Sequence, residues 1–218
     1  MNTDILRWFE LMSLITSTRP QGSLDAVVVH ARSHGRDGEG LLELVTQVAS
    51  NYRCRIAVNG SNGDAHNPKF PGQKAWEGAD KYLENLTALG GDDLRIFFSR
   101  PATNTRDEAM VFGEMVQNHG WKRVGVANLG HCLPRAMLGW VNEIEQRKLS
   151  DVKLFPFAPT SINWKIAVNG QQGSEPAPRI GQCEEELKRI LSYPTSPYAS
   201  RFVSVERLIE YLVNLNTD

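Results

Sequence analysis

No stretch of this 218-residue sequence approaches the roughly 20 consecutive apolar residues that a membrane-crossing helix requires. A secretory leader is not expected either: the apolar stretch at residues 5–16 is broken by Arg7 and Glu10 and has neither a basic start nor a small-residue cleavage site. Cysteine is scarce, and Cys54, Cys132 and Cys183 are odd in number and far apart, which argues against a disulfide framework and suits a reducing compartment. A cytoplasmic location is the expectation. Charge of one sign is lacking too. The 24 basic and 25 acidic residues leave a net charge of −1 and form no basic run, so DNA and RNA are not expected partners. Internal repeats and low-complexity stretches are absent. So are the glycine fingerprint of dinucleotide binders and the Walker loop, so classical NAD binding and P-loop NTPase activity are not expected.

What the chain does contain is alternation. Five apolar, β-branched runs, at residues 25–30, 55–59, 94–98, 123–127 and 152–157, are separated by stretches of helical periodicity at 39–50, 74–89, 105–119 and 133–147. This pattern predicts an α/β fold, a Rossmann-like three-layer αβα sandwich on a mostly parallel sheet of about five strands. The length suits one domain over residues 1–218. An amphipathic helix is expected at residues 5–16. A loop rich in Gly, Gln and Pro at 169–181 precedes two further helices, near 183–191 and 205–215.

In such a sheet the loops leaving the carboxyl ends of the strands line the ligand crevice, so polar residues at those junctions are the candidate site. The first junction, residues 30–40, holds His30, Arg32, His34 and Asp37 among glycines and offers cations and backbone N–H groups to an anion. Its loose spacing does not make a metal site, and no metal is expected. The second brings Gly60 and Ser61 straight off a strand, with Glu77 expected just inside the next helix; glycines there permit close approach of a ligand or simply make a turn. At the third, Thr105 and Glu108 have the form of a reciprocal capping box, while Asn104 suits either a ligand contact or a cross-link between loops. The fourth is the richest. Asn128 ends a strand, His131 follows on the turn, Pro134 suits a first helical turn, and Arg135 comes one turn after His131. Imidazole, guanidinium and helix N-terminus together suit an anion, with His131 available for proton transfer. Alternatively, His131 caps the helix and Arg135 pairs with a carboxylate such as Glu77 or Glu108. Cys132 reads as a small buried residue rather than a nucleophile.

Taken in order, Asn59-Gly60-Ser61, Trp76-Glu77-Gly78, residues 99–108 with Asn104-Thr105, and His131 followed by Pro134-Arg135-Ala136 resemble the YdcF-like family, which also includes SanA and ElyC. The resemblance covers about residues 25–159. Ser99 stands where the family has Glu, Ala102 where it has Ser, and Asp107-Glu108 where it has Glu-Asn. The resemblance implies a Rossmann-like fold with its pocket at the strand ends. It also implies a soluble, YdcF-type branch and a small anionic or nucleotide-like ligand, S-adenosylmethionine among the candidates. Two other readings go with it. One is a hydrolase or transferase of a phosphoryl-containing substrate linked to envelope or lipid-carrier metabolism, with His131, Arg135 and Glu77 in the chemistry. The other is a protein-interaction module whose pocket has degenerated. The sequence leaves ligand, reaction and oligomeric state open.

Overall fold

A computed structural model of the chain describes residues 3–31, 40–63, 76–90, 93–160, 163–168, 177–193 and 199–217. Its centre is a sheet of five parallel strands in the order β3-β2-β1-β4-β5: β1 (Ala26–Val29), β2 (Arg55–Val58), β3 (Ile96–Phe98), β4 (Arg123–Ala127) and β5 (Lys153–Phe157). β1 and most of β2, β4 and β5 are buried, which is why they read in the sequence as continuous apolar runs rather than alternating ones. The register places Val29 between Val58 and Ala127, so the strand ends of β2, β1 and β4 finish level.

Side chains alternate across the sheet, and the two cores divide accordingly. Val27 and Val29 face one layer with α2 (Leu41–Tyr52) and α3 (Ala79–Gly90). Ala26 and Val28 face the other, with α4 (Thr105–His119) and α5 (Leu133–Gln146). On this second side α1 (Thr3–Ser17) and α7 (Val205–Thr217) pack together, Leu11 and Ile15 sharing the core with Leu208 and Leu212, and Arg7 pairing with Glu206 at the surface. Tyr211 of α7 reaches the start of β5, where its hydroxyl accepts from the Leu154 N–H at 2.8 Å. No helix among the described residues is long and apolar enough to cross a membrane.

After β3 the chain returns past β2 to start β4 on the far side of β1. The connections that follow β1 and β4 therefore leave toward opposite layers, opening a crevice between their carboxyl ends; this is where open α/β sheets bind their ligands.

Two helix starts depart from the sequence expectation. α3 begins at Ala79, not at 74, because Gly78 adopts φ +96° and a Cβ there would lie 2.6 Å from the Asn62 carbonyl oxygen. Residues 76–78 thus dock against the β2 junction instead of winding into helix, and residues 74 and 75 lie outside the described residues. The last part of the expected 169–181 loop is structured. Ala177–Pro178 pairs antiparallel with Ala167–Val168 as the short strands β7 and β6, and α6 (Arg179–Ser192) starts four residues before Cys183. Residues 169–176 lie outside the described residues. A short 3-10 turn, Ala199–Arg201, precedes α7.

Candidate functional site

At the end of β1 the first polar side chain, His30, is fully buried and points into a network rather than toward a ligand. Trp140 Nε1 of α5 donates to His30 Nε2 at 3.0 Å, and an indole N–H is only a donor, so Nε2 carries the lone pair and Nδ1 the hydrogen. Nδ1 then donates to Glu108 Oε2 at 2.8 Å. The other oxygen, Oε1, accepts from the Ala31 N–H at 2.7 Å and from Asn59 Nδ2 at 3.3 Å. Glu108, only 2% exposed, thereby ties the ends of β1 and β2 to α4 and, through His30, to α5. This corrects the capping-box reading. The helix is capped by Asn104, whose Oδ1 accepts from the N–H groups of Arg106 and Asp107 at 3.1 and 3.0 Å while its amide donates to Asp107 at 2.7 Å. Asn104 is thus a cap, Thr105 is buried beneath it, and His30 is a core residue.

The turn after β4 is built differently. Asn128 is fully buried; its Oδ1 accepts from the Leu129 N–H at 2.9 Å, but its Nδ2 is enclosed without a hydrogen-bond partner among the described residues. His131 is 4% exposed, and its Nδ1 is likewise enclosed without a partner among them. Two such groups stand within four residues at the reversal point of the strand order, and each costs about 1–3 kcal/mol of desolvation when unsatisfied. Its surroundings come from separate junctions. A Cβ on Gly130 would lie 3.7 Å from the ring of Trp164, a residue 37% exposed, and one on Gly40, which opens α2, would lie 3.3 Å from Pro159 beyond β5.

The start of α5 does not supply the anion cradle expected from the sequence. The N–H groups of Cys132 and Leu133 both donate to the Leu129 carbonyl at 2.9 Å, and Pro134 has none. Cys132, not His131, occupies the cap position, with no side-chain cap bond. Arg135 turns away to α6, where Nε donates to Glu186 Oε2 at 2.6 Å and Nη2 to Oε1 at 3.2 Å. Burial disfavours the Arg135 charge, yet Glu186 beside it holds the guanidinium above its ordinary value. Arg189 donates to the same carboxylate at 3.0 Å. The carboxylate expected for Arg135 is therefore Glu186, neither Glu77 nor Glu108.

At the β2 junction the glycines serve the backbone. A Cβ on Gly60 would fall 2.1 Å from the Ser99 carbonyl oxygen, so the close approach there is to the end of β3. Ser61 Oγ accepts from Trp76 Nε1 at 3.1 Å. Gly60, Ser61 and Glu77 do share a groove of about 460 Å³, joined by Asp80, Lys81 and Glu84. Lys81 is paired with Glu84 at 2.7 Å, so three carboxylates face one engaged ammonium and the groove disfavours an anion. Arg32, His34 and Asp37 lie outside the described residues.

The fold thus brings His30, Asn128 and His131 to the ends of the two central strands, while Arg135, Asn104 and Glu77 serve elsewhere. Sequence reasoning missed Glu108 as a hub, and Glu186 and Trp164 altogether. Glu108 left a signal, because Thr105, Glu108, Phe112 and Met115 form one helical stripe that is otherwise buried. Glu186 left a fainter one in the stripe Arg179, Gln182, Glu186 and Ile190. No family model matches the chain, and no curated protein matches it.

Proposed function

We propose that this protein binds a small polar ligand in the crevice between the carboxyl ends of β1 and β4, with Asn128 and His131 as its contacts. The observation that carries this reading is the pair of buried groups without a partner among the described residues, Asn128 Nδ2 and His131 Nδ1, at the point where the strand order reverses. Asn128 Nδ2 is a donor, so the ligand presents an acceptor oxygen, as a carboxylate, phosphoryl or carbonyl group does. Trp164 beside Gly130 offers an apolar surface for the rest of the molecule. Nucleotide-like compounds, S-adenosylmethionine included, fit that description and are the first to try. Binding without assigned catalysis is favoured over phosphoryl transfer, since Arg135, the cation which that chemistry would draw on, is engaged by Glu186.

The test is thermal stabilisation of the purified chain by S-adenosylmethionine, nucleotides, sugar phosphates and divalent metals, a ligand of the native state raising the melting temperature by mass action. The expected result is a concentration-dependent rise that disappears in Asn128→Ala and in His131→Leu. The second variant has a further signature. Among the described residues His131 Nδ1 makes no hydrogen bond to lose, so the leucine is expected to leave the unliganded protein as stable as before or more so, by about 1 kcal/mol. Full ligand response in both variants overturns the reading.

A further inference from the structure

α6 is turned the opposite way to an ordinary surface helix, which hides its apolar stripe and shows its charged one. Its buried residues are Arg179, Gln182 and Glu186, with Ile190 beside them. Ile180 and Leu191, by contrast, are 60% and 46% exposed, and Leu187 between them is half-buried. Steps of seven and then four residues set these three on one face, a stripe about 16 Å long. Among the described residues none of the three packs into either core. Half-buried Cys183 borders the stripe, and the bond from the Ile180 N–H to the Trp164 carbonyl, at 3.0 Å, holds exposed Trp164 beside its first residue. An apolar face of this kind, rimmed by charge, marks a contact surface.

The charges along the rim identify the occupant. Glu184 and Lys188 stand one turn apart on the same border of the stripe, both exposed and paired with each other at 2.8 Å. An exposed pair is worth little, so its members exchange partners at small cost. When two copies of such a helix pack antiparallel about a two-fold axis, each border meets the same border of the other copy, running the opposite way. With Ile180 of one copy beside Leu191 of the second, Glu184 falls within one residue of the second copy's Lys188, and Lys188 within one residue of its Glu184. Parallel pairing sets like charges level with each other instead, and a bilayer makes no use of their order.

We propose that α6 is a self-association surface, two copies of this chain pairing antiparallel through Ile180, Leu187 and Leu191 while Glu184 and Lys188 cross between them. One three-turn stripe is smaller than the about 800 Å² per partner of a standard interface, so the dimer is expected to form in a concentration-dependent manner. Sedimentation equilibrium of the full chain over about 1–500 μM at 50 mM salt should show monomer passing into dimer. Ile180→Glu and Leu191→Glu, both at exposed positions, keep the chain monomeric with an unchanged circular dichroism spectrum. Glu184→Lys and Lys188→Glu each weaken the dimer at least tenfold, because each sets like charges against each other. Mixing these two variants in equal amounts restores association, since one copy then carries two cations on the rim and the other two acids. The proposal is overturned by a chain that stays monomeric throughout, by a dimer that survives Ile180→Glu, or by a mixture no tighter than either charge variant alone. It is equally overturned if phosphatidylcholine vesicles take up the wild type as a monomer but not Ile180→Glu, which assigns the stripe to a bilayer.

Discussion

Glu108 shows how much one side chain can hold in place. Its two oxygens take hydrogen bonds from the His30 ring and the Asn59 amide, both buried, and from the half-buried Ala31 N–H. Glu108→Ala leaves these donors facing a cavity, and a loss of about 3–5 kcal/mol is expected in urea denaturation. Glu108→Gln keeps the shape but turns an N–H toward one of the donors, so it falls between the alanine variant and the wild type. An acid three residues after Thr105 looks from sequence like a local cap. Its partners lie 49 to 78 positions away, and local spacing carries no trace of them. Asn128 and His131 were legible as polar residues after a strand; that Asn128 Nδ2 and His131 Nδ1 have no partner among the described residues was not, because it depends on how the turn at Leu129 folds.

The docking of α6 rests in part on a buried ion pair. Its inward stripe is Arg179, Gln182, Glu186 and Ile190, and the Arg135 to Glu186 pair joins it to the first turn of α5. Glu186→Ala takes the carboxylate from the buried Arg135 guanidinium and is expected to cost about 3–5 kcal/mol, whereas Arg135→Ala costs less, because Arg189 still pairs with Glu186. Replacing both together with Met and Leu recovers much of that loss, and a double-mutant cycle on denaturation midpoints measures the coupling. Hydrogen exchange in the α6 amides should rise in the single variants before that of the sheet. The start of this helix was hidden in the sequence by Pro178 and Gly181, which read as loop, whereas the starts of α4 and α5 were announced by Asn104-Thr105 and Pro134. The strands were the most legible elements, since parallel strands covered on both faces need apolar residues throughout.

On the scale of the whole molecule, the layers could be read from the alternation of patterns, but the strand order could not, because it is decided by which layer each crossover joins. Alkaline stability is also a property of the whole. Burial pushes the Cys54 and Cys183 thiols up to about 11 from 9.0 and the Tyr211 hydroxyl up to about 12 from 10.0. The unfolded chain therefore loses these protons first. The associated stability is intact below about pH 9 and drains away as pH rises toward 12, so urea midpoints at pH 8.0, 9.5 and 10.5 should fall in that order. The pairing of α1 with α7 has a consequence in time. Leu11 and Ile15 share their core with Leu208 and Leu212, so during synthesis at roughly 5–20 residues per second the first helix waits tens of seconds for the last to leave the ribosome. Until then its apolar side is open to chaperones, and a transcript cut short before Val205 yields a nascent chain that keeps that side exposed.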